Sequence, residues 1–170
     1  MAGLGVMRTF QAARVFETLT VGENMLLPTM AAGEAADEAR QRAHRLLEEV
    51  GLQAAWGATA SELSGGQRKL IEFARSRINE PRVLLMDEPF AGVHPEIVAV
   101  MVEQIRAVAG RGAGVLLVSH EIPTLMHLAH RVICMSEARV IAEGSPAAVQ
   151  DDEQVLEAYL GRPRDSGVTP

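Results

Sequence analysis

The chain has 170 residues, 48% hydrophobic and 22% charged, a composition that can bury roughly two thirds of its unfolded surface around a core. Its formal net charge of -6 argues against nucleic-acid binding driven by bulk electrostatics, although arginines clustered near residue 70 leave room for a local basic patch. Cys134 is the only cysteine, which excludes a disulfide framework or a CxxC metal site and fits a reducing compartment. No apolar run approaches the roughly 18 to 20 residues of a membrane span, and the opening MAGLGVMRTF lacks a signal-peptide core. Work at a membrane would therefore run through a partner.

Residues up to Gln11 read as the end of a strand and a loop, and Val15 to Asn24 as a polar, turn-rich stretch. A helix is predicted from Glu34 to Val50, with Ala39, Ala43, Leu46, Leu47 and Val50 near one face and Gly51 placed to end it. A loop with Trp56, Gly57 and Thr59 follows, its indole expected to pack under the helical segment. Leu63-Ser64-Gly65-Gly66-Gln67 then opens a second helix. Its apolar stripe is Leu70, Ile71, Ala74 and Ile78; Arg68, Lys69, Glu72 and Arg75 lie largely off it, and Pro81 stops the run. Two adjacent glycines let backbone approach an anion, the Ser64 hydroxyl can donate to a phosphate oxygen, and the free N–H groups of the helix start point the same way. The plainer reading of the same five residues is a loop with an N-cap.

From Val83 the pattern changes to short apolar runs bounded by turn residues: VLLM, VLLVS from Val115, VICM from Val132 and VIA from Val140. They read as buried strands. Pro95 to Ala109 is helical between the first two, with Ile97, Val98, Met101, Ile105 and Val108 on one side. Strand, helix, strand in that order predicts a parallel crossover in an α/β sheet, whereas the last two runs are close enough for a hairpin. Met25, Met30, Met86, Met101, Met126 and Met135 read as core or partner-contact filler.

Asp87 and Glu88 follow a buried run directly, so they emerge at the carboxyl end of a strand, where ligands of open α/β sheets bind. Asp87 suits Mg²⁺, a hard cation that favours carboxylate and water oxygens beside phosphates. Glu88, ionised at neutral pH, is the candidate to polarise an attacking water. His120 ends the VLLVS strand as Asp87 ends its neighbour, which would bring both to one sheet edge. His127 and His130, three apart on an expected helix near Cys134, have no standard zinc spacing, and Cys134 falls inside an apolar strand.

Taken in order, these motifs resemble the ATP-binding cassette ATPases over the whole chain: RTFQ, LTVGEN, LSGGQRKLIEFAR, LLMDEPFAGVHPE, LLVSHE, IAEGSPAAV and AYLG. The resemblance is strongest to the ATPase subunits of branched-chain amino acid importers. It implies a partial RecA-like P-loop NTPase core, a parallel sheet with flanking helices, plus a helical subdomain. The implied division is 1–16 for a remnant of the core and glutamine loop, 17–80 for the helical subdomain, 81–161 for the carboxyl-terminal core and 162–170 for a tail. It implies ATP and Mg²⁺ as ligands, with Ser64, Gly65, Gly66 and Gln67 as a signature acting on a partner subunit's ATP. Asp87 is the implied Mg²⁺ ligand, Glu88 and His120 are catalytic, and Gln11 is the glutamine-loop residue that touches Mg²⁺ and the attacking water. Ala91-Gly92-Val93-His94-Pro95 takes the place of the D-loop, but His94 stands where many members have aspartate and is left out of the site. The implied partners are a second cassette ATPase, transmembrane permease subunits and, indirectly, a substrate-binding protein, with no nucleic acid; the implied place is peripheral, on the cytoplasmic face of the inner membrane. Long coiled-coil or zinc insertions, as in DNA-repair cassettes, are missing between Gln11 and Ser64.

One family element is not in the sequence. A phosphate-binding GxxxxGK[ST] loop requires Gly-Lys-Ser/Thr, and the single lysine, Lys69, lies between Arg68 and Leu70. The sequence is expected to be the carboxyl-terminal part of a hydrolysing transport subunit or, alternatively, a non-hydrolysing regulatory or structural half that donates its signature to another cassette's ATP. In either case the chain alone is expected to be inactive, with an unpaired sheet edge and exposed apolar surface that leave it marginally stable or prone to aggregation.

Overall fold

A computed structural model of the chain describes residues 5–10, 13–30 and 35–160. Gln11 and the expected tail, 162–170, lie outside them. Chain contacts divide the protein after Glu121 into two compact units.

The first unit holds a parallel three-stranded sheet in the order β1 (Val6–Arg8), β2 (Val83–Asp87), β3 (Gly114–Val118). Val83 pairs with Val6 on one side and Gly114 on the other. The β2–β3 link is helix α4 (Pro95–Gly110), which delivers the expected parallel crossover. Leu84 and Met86 point to a face that is fully buried, and Met86 shares its surroundings with Phe73 and with Met101 of α4. The opposite face differs from the expected buried strands. Leu116 and Val118 are 57% and 56% exposed, and among the described residues no strand pairs with the outer edge of β3. Such an edge is a template for association with another chain.

Three helices pack on one another in the same unit: α1 (Val21–Met30), α2 (Ala36–Glu49) and α3 (Gly65–Arg77). Gly51, at φ 70°, follows α2 as the sequence predicts. The first helix, however, begins inside the stretch read as turn. Thr20 and Glu23 form a reciprocal cap, with the Thr20 N–H donating to Glu23 Oε2 at 2.7 Å and the Glu23 N–H to Thr20 Oγ1 at 3.2 Å. Fully buried Asn24 completes the turn, its amide donating to the Phe16 carbonyl at 2.9 Å and accepting from the Phe16 N–H at 2.8 Å. The T-x-x-E spacing is a helix-start signal that lies within the stretch read as turn-rich. Gly22 is there for contact, since a Cβ would lie 2.5 Å from the Trp56 ring, which also stacks on His44 at 3.8 Å.

The second unit contains α5 (Ile122–Leu128), the hairpin β4 (Val132–Ser136) and β5 (Arg139–Gly144), and two short helices, α6 (Pro146–Gln150) and α7 (Glu153–Leu160). Its core is Val132, Cys134 and Val149, with Leu125, Met126, Ile141 and Val155 around them. The hairpin was expected; α6 and α7 were not. Since α5 ends at Leu128, His130 is not on that helix, and the idea that His127 and His130 share a helical face is corrected. Among the described residues no cluster of three or more His, Cys, Asp or Glu side chains could hold a metal ion.

The hairpin turn is strained. Glu137 and Ala138 sit at φ 48° and 61°, left-handed conformations that cost an L-residue about 1–2 kcal/mol each, and asparagine or glycine usually occupy such positions. Ala138→Gly relieves one of them, offset in part by the entropy of a freer unfolded chain. A gain of about 0.5–1 kcal/mol in the stability of this unit is expected, read by denaturant unfolding; unchanged or lower stability would show the turn is not strained.

Candidate functional site

The functional candidates of the first unit lie in two places, the ends of β2 and β3 and the start of α3. Parallel register sets Asp87 opposite Val118, and the Glu88 N–H continues the ladder by donating to the Val118 carbonyl at 2.8 Å. Two residues beyond Val118 the chain reaches His120. Its Nδ1 lies 2.7 Å from Glu88 Oε2, and its backbone N–H donates to the same oxygen at 3.3 Å. Glu88 is 18% exposed and His120 66%, so the carboxylate is sheltered while the imidazole faces solvent. The expected convergence of Asp87, Glu88 and His120 on one sheet edge is therefore what the register produces.

Glu88 itself stands at φ 48°. A left-handed glutamate costs about 1–2 kcal/mol, and here the turn that follows, closed by the Ala91 N–H to the Glu88 carbonyl at 3.3 Å, holds it. The Asp87 carboxylate pairs with Arg8 at 3.2 Å across β1 and β2. Arg8 had no assigned role in the sequence, and nothing short of the strand register would have given it one.

Ser64 is the N-cap of α3. Its Oγ accepts from the Gln67 N–H at 3.2 Å while Gln67 Oε1 accepts from the Ser64 N–H at 3.0 Å, a reciprocal cap that fixes the start of the helix. The N-cap reading of the motif is what the geometry shows; the cap uses the Ser64 oxygen as acceptor and leaves its hydroxyl proton as a donor. The two glycines separate in kind. A Cβ at Gly65 would meet nothing within 4 Å, whereas one at Gly66 would lie 2.5 Å from Ile97 Cδ1 of α4. Gly65 is open to an approaching group; Gly66 serves helix packing. An open cleft of about 240 Å³ is lined by Ala13, Gly65, Arg68, Lys69 and Gly92. His94, set aside in the sequence, has a local task as N-cap of α4, its Nδ1 accepting from the Glu96 N–H at 3.5 Å.

The side chains read as lying off the stripe of α3 are more deeply engaged than their polarity suggests. Glu72 is 6% exposed and accepts the Phe10 N–H at 3.4 Å. Burial pushes its carboxyl up from the ordinary 4.5, opposed by the N–H groups of Arg14 and Phe10 and by Arg75 and Lys69. Arg75 donates to the Arg14 carbonyl and, at 3.4 Å, to Asn24 Oδ1. Residues on both sides of the Gln11 position are thus fastened to the signature helix. Farther along, Arg77 is 3% exposed and ties α3 to Glu49 of α2 and, at 2.9 Å, to Gln104 of α4.

These donors do not make a complete Mg²⁺-nucleotide site. Asp87 has the right chemistry for a hard cation and pairs at the surface with Arg8, and Lys69, the one lysine of the chain, is engaged with backbone carbonyls. The cradle for the β- and γ-phosphates is not among these residues.

A family model described as ABC transporter matches residues 2–91, and one described as branched-chain amino acid ATP-binding cassette transporter matches residues 139–165. The chain is 34% identical to the probable branched-chain amino acid transport ATP-binding protein LivG of Archaeoglobus fulgidus, over 93% of this chain and 66% of that protein. It is 33% identical to the lipopolysaccharide export system ATP-binding protein LptB of Acidithiobacillus ferridurans, over 94% and 65%. A crystal structure of a nucleotide-free ATP-binding cassette from an ABC transporter superposes with TM-score 0.79 at 28% identity, covering 93% of this chain and 69% of that one. The ADP conformation of such a cassette gives 0.78 at 29%, with the same coverage. The chain spans about two thirds of the length of the curated relatives it matches.

The raised Glu72 carboxyl has a measurable sign. A folded-state value above the unfolded one contributes stability that is fully present below about pH 4.5 and is lost as pH rises through the folded value. Wild type is therefore expected to lose stability relative to Glu72→Gln, which does not titrate, as pH rises from 4 to 7.5 in paired denaturation curves. A pH-independent difference would mean that burial does not raise this carboxyl.

Proposed function

The chain belongs to the ATP-binding cassette transporter ATPase family, and we propose that it is a portion of the ATP-hydrolysing subunit of an importer for branched-chain or other amino acids. The observation that carries the catalytic part of this reading is the 2.7 Å contact between Glu88 and His120 at the ends of adjacent parallel strands. In this proposal Glu88 is the general base that takes a proton from the attacking water, and His120 orients its carboxylate and faces the γ-phosphate. Asp87 would hold Mg²⁺, which supplies charge neutralisation for the phosphates when bound, and Gln11 would lie beside it. Ser64, Gly65, Gly66 and Gln67 would meet the ATP of a second cassette subunit, and permease subunits would carry the pair at the cytoplasmic face of the membrane. No described helix is long and apolar enough to cross a membrane. We retain 17–80 as the helical subdomain, supported by the mutual packing of α1, α2 and α3.

The amino-acid assignment is supported by the likeness to LivG and by the match over residues 139–165. The similarity to LptB, of nearly the same extent, makes lipopolysaccharide the competing cargo. A second reading has its own support in the lack of any Gly-Lys-Ser/Thr in the sequence: the chain would bind no ATP itself and would act only through its signature on another cassette.

Two measurements test the proposal. The purified chain alone is expected to show no ATP turnover, and appreciable hydrolysis would overturn the reading that it lacks the phosphate cradle. In a chimera that adds a relative's phosphate-binding segment, Glu88→Gln is expected to lower turnover by about a hundredfold or more while ATP binding persists, the scale of losing a positioned base; unchanged turnover would place the base elsewhere. Should the chimera stay inactive while the native chain alters the hydrolysis rate of a complete cassette in trans, the donor reading replaces the first.

A further inference from the structure

Lys69, the only lysine of the chain, occupies an unusual place. It belongs to the first turns of α3, directly after the signature, yet its ammonium turns toward the other loop of the site. Nζ donates to the Ala91 carbonyl at 2.6 Å and reaches the Glu88 carbonyl at 3.5 Å. Those two carbonyls bound the turn that begins at left-handed Glu88, is closed by the Ala91 N–H and continues with the Val93 N–H on the Phe90 carbonyl at 3.2 Å. An ammonium has three donors and no acceptor, so it can serve converging carbonyl oxygens that no apolar or acidic side chain could satisfy. Partial burial lowers its basicity, opposed by Glu72 and Glu88, so the interaction is made in a partly dry setting where a charged hydrogen bond counts for more.

We propose that Lys69 is a positioning residue that holds the Glu88–Ala91 turn, and with it the Glu88 carboxylate, to the signature helix. The consequence concerns coupling. The residue group that addresses a partner's nucleotide and the group that addresses the chain's own would move as one body, because a single side chain bridges them. The importance of that link for hydrolysis rests on the function proposed above; the link itself does not.

Hydrogen exchange on the full 170-residue chain tests it. Lys69→Met keeps the length of the side chain and removes the donors. It is expected to raise exchange at the Ala91 and Val93 amides by about tenfold or more over any change within Leu70 to Arg77, and to shift the His120 ring resonances through Glu88. Lys69→Arg, which keeps the charge and the donors, is expected to retain both signals. Unchanged turn exchange and an unmoved His120 in Lys69→Met would overturn the proposal. So would an equal rise across α3 and the turn, which would make Lys69 a helix-stabilising residue only, or a Lys69→Arg chain as loose as Lys69→Met. None of these readings requires nucleotide, so an inactive Glu88 and an absent Lys69 grip are separable results.

Discussion

The constraint on which the first unit depends is that α3 takes polar and charged side chains wholly or partly out of water, where their donors and acceptors need partners. A buried ionised group without one is far costlier than any single hydrogen bond is favourable. Arg77 meets Glu49 and Gln104, Glu72 meets the N–H of Phe10, Arg75 meets the carbonyl of Arg14 and Lys69 meets that of Ala91. These partners lie on α2, on α4 and on the loops that follow β1 and β2. One helix thereby fixes the positions of elements far apart in sequence, and its apolar stripe alone would not have chosen among them.

The strand ends supply the second half of the arrangement. Parallel pairing of β2 with β3 carries the backbone of Glu88 onto Val118 and so brings His120 to the Glu88 carboxylate. The left-handed backbone at Glu88 then turns the chain back toward α3. Strain at that residue persists because the ladder on one side and the turn on the other both specify it, the usual circumstance in which strained residues survive at functional sites.

What this chain can do chemically is divided unevenly. Its signature helix start is preformed, capped by Ser64 and Gln67 and open at Gly65. Its own carboxylates are also in place, but Asp87 is matched by Arg8 rather than by a phosphate-binding loop. The preformed element is therefore the start of α3, whereas the Asp87 carboxylate is engaged by a side chain of its own unit.

The ordered motifs carried the family through resemblance, while periodicity and turn residues, which are local properties of the chain, carried the strand and helix order from Val83 to Val140 and the hairpin and put Asp87, Glu88 and His120 at strand ends. The start of α1 was missed because its T-x-x-E cap lies in a polar, turn-rich stretch, and α6 and α7 were missed because they are too short to show a period. The tertiary structure alone decided the partners: Arg8 on Asp87, Glu72 on Phe10, Lys69 on Ala91 and Ile97 over Gly66. Each joins residues from separate elements, and a side chain's spacing in sequence cannot reveal which distant carbonyl or carboxylate will be left needing it. Burial made those choices, since a polar group removed from water takes whatever partner the packing provides.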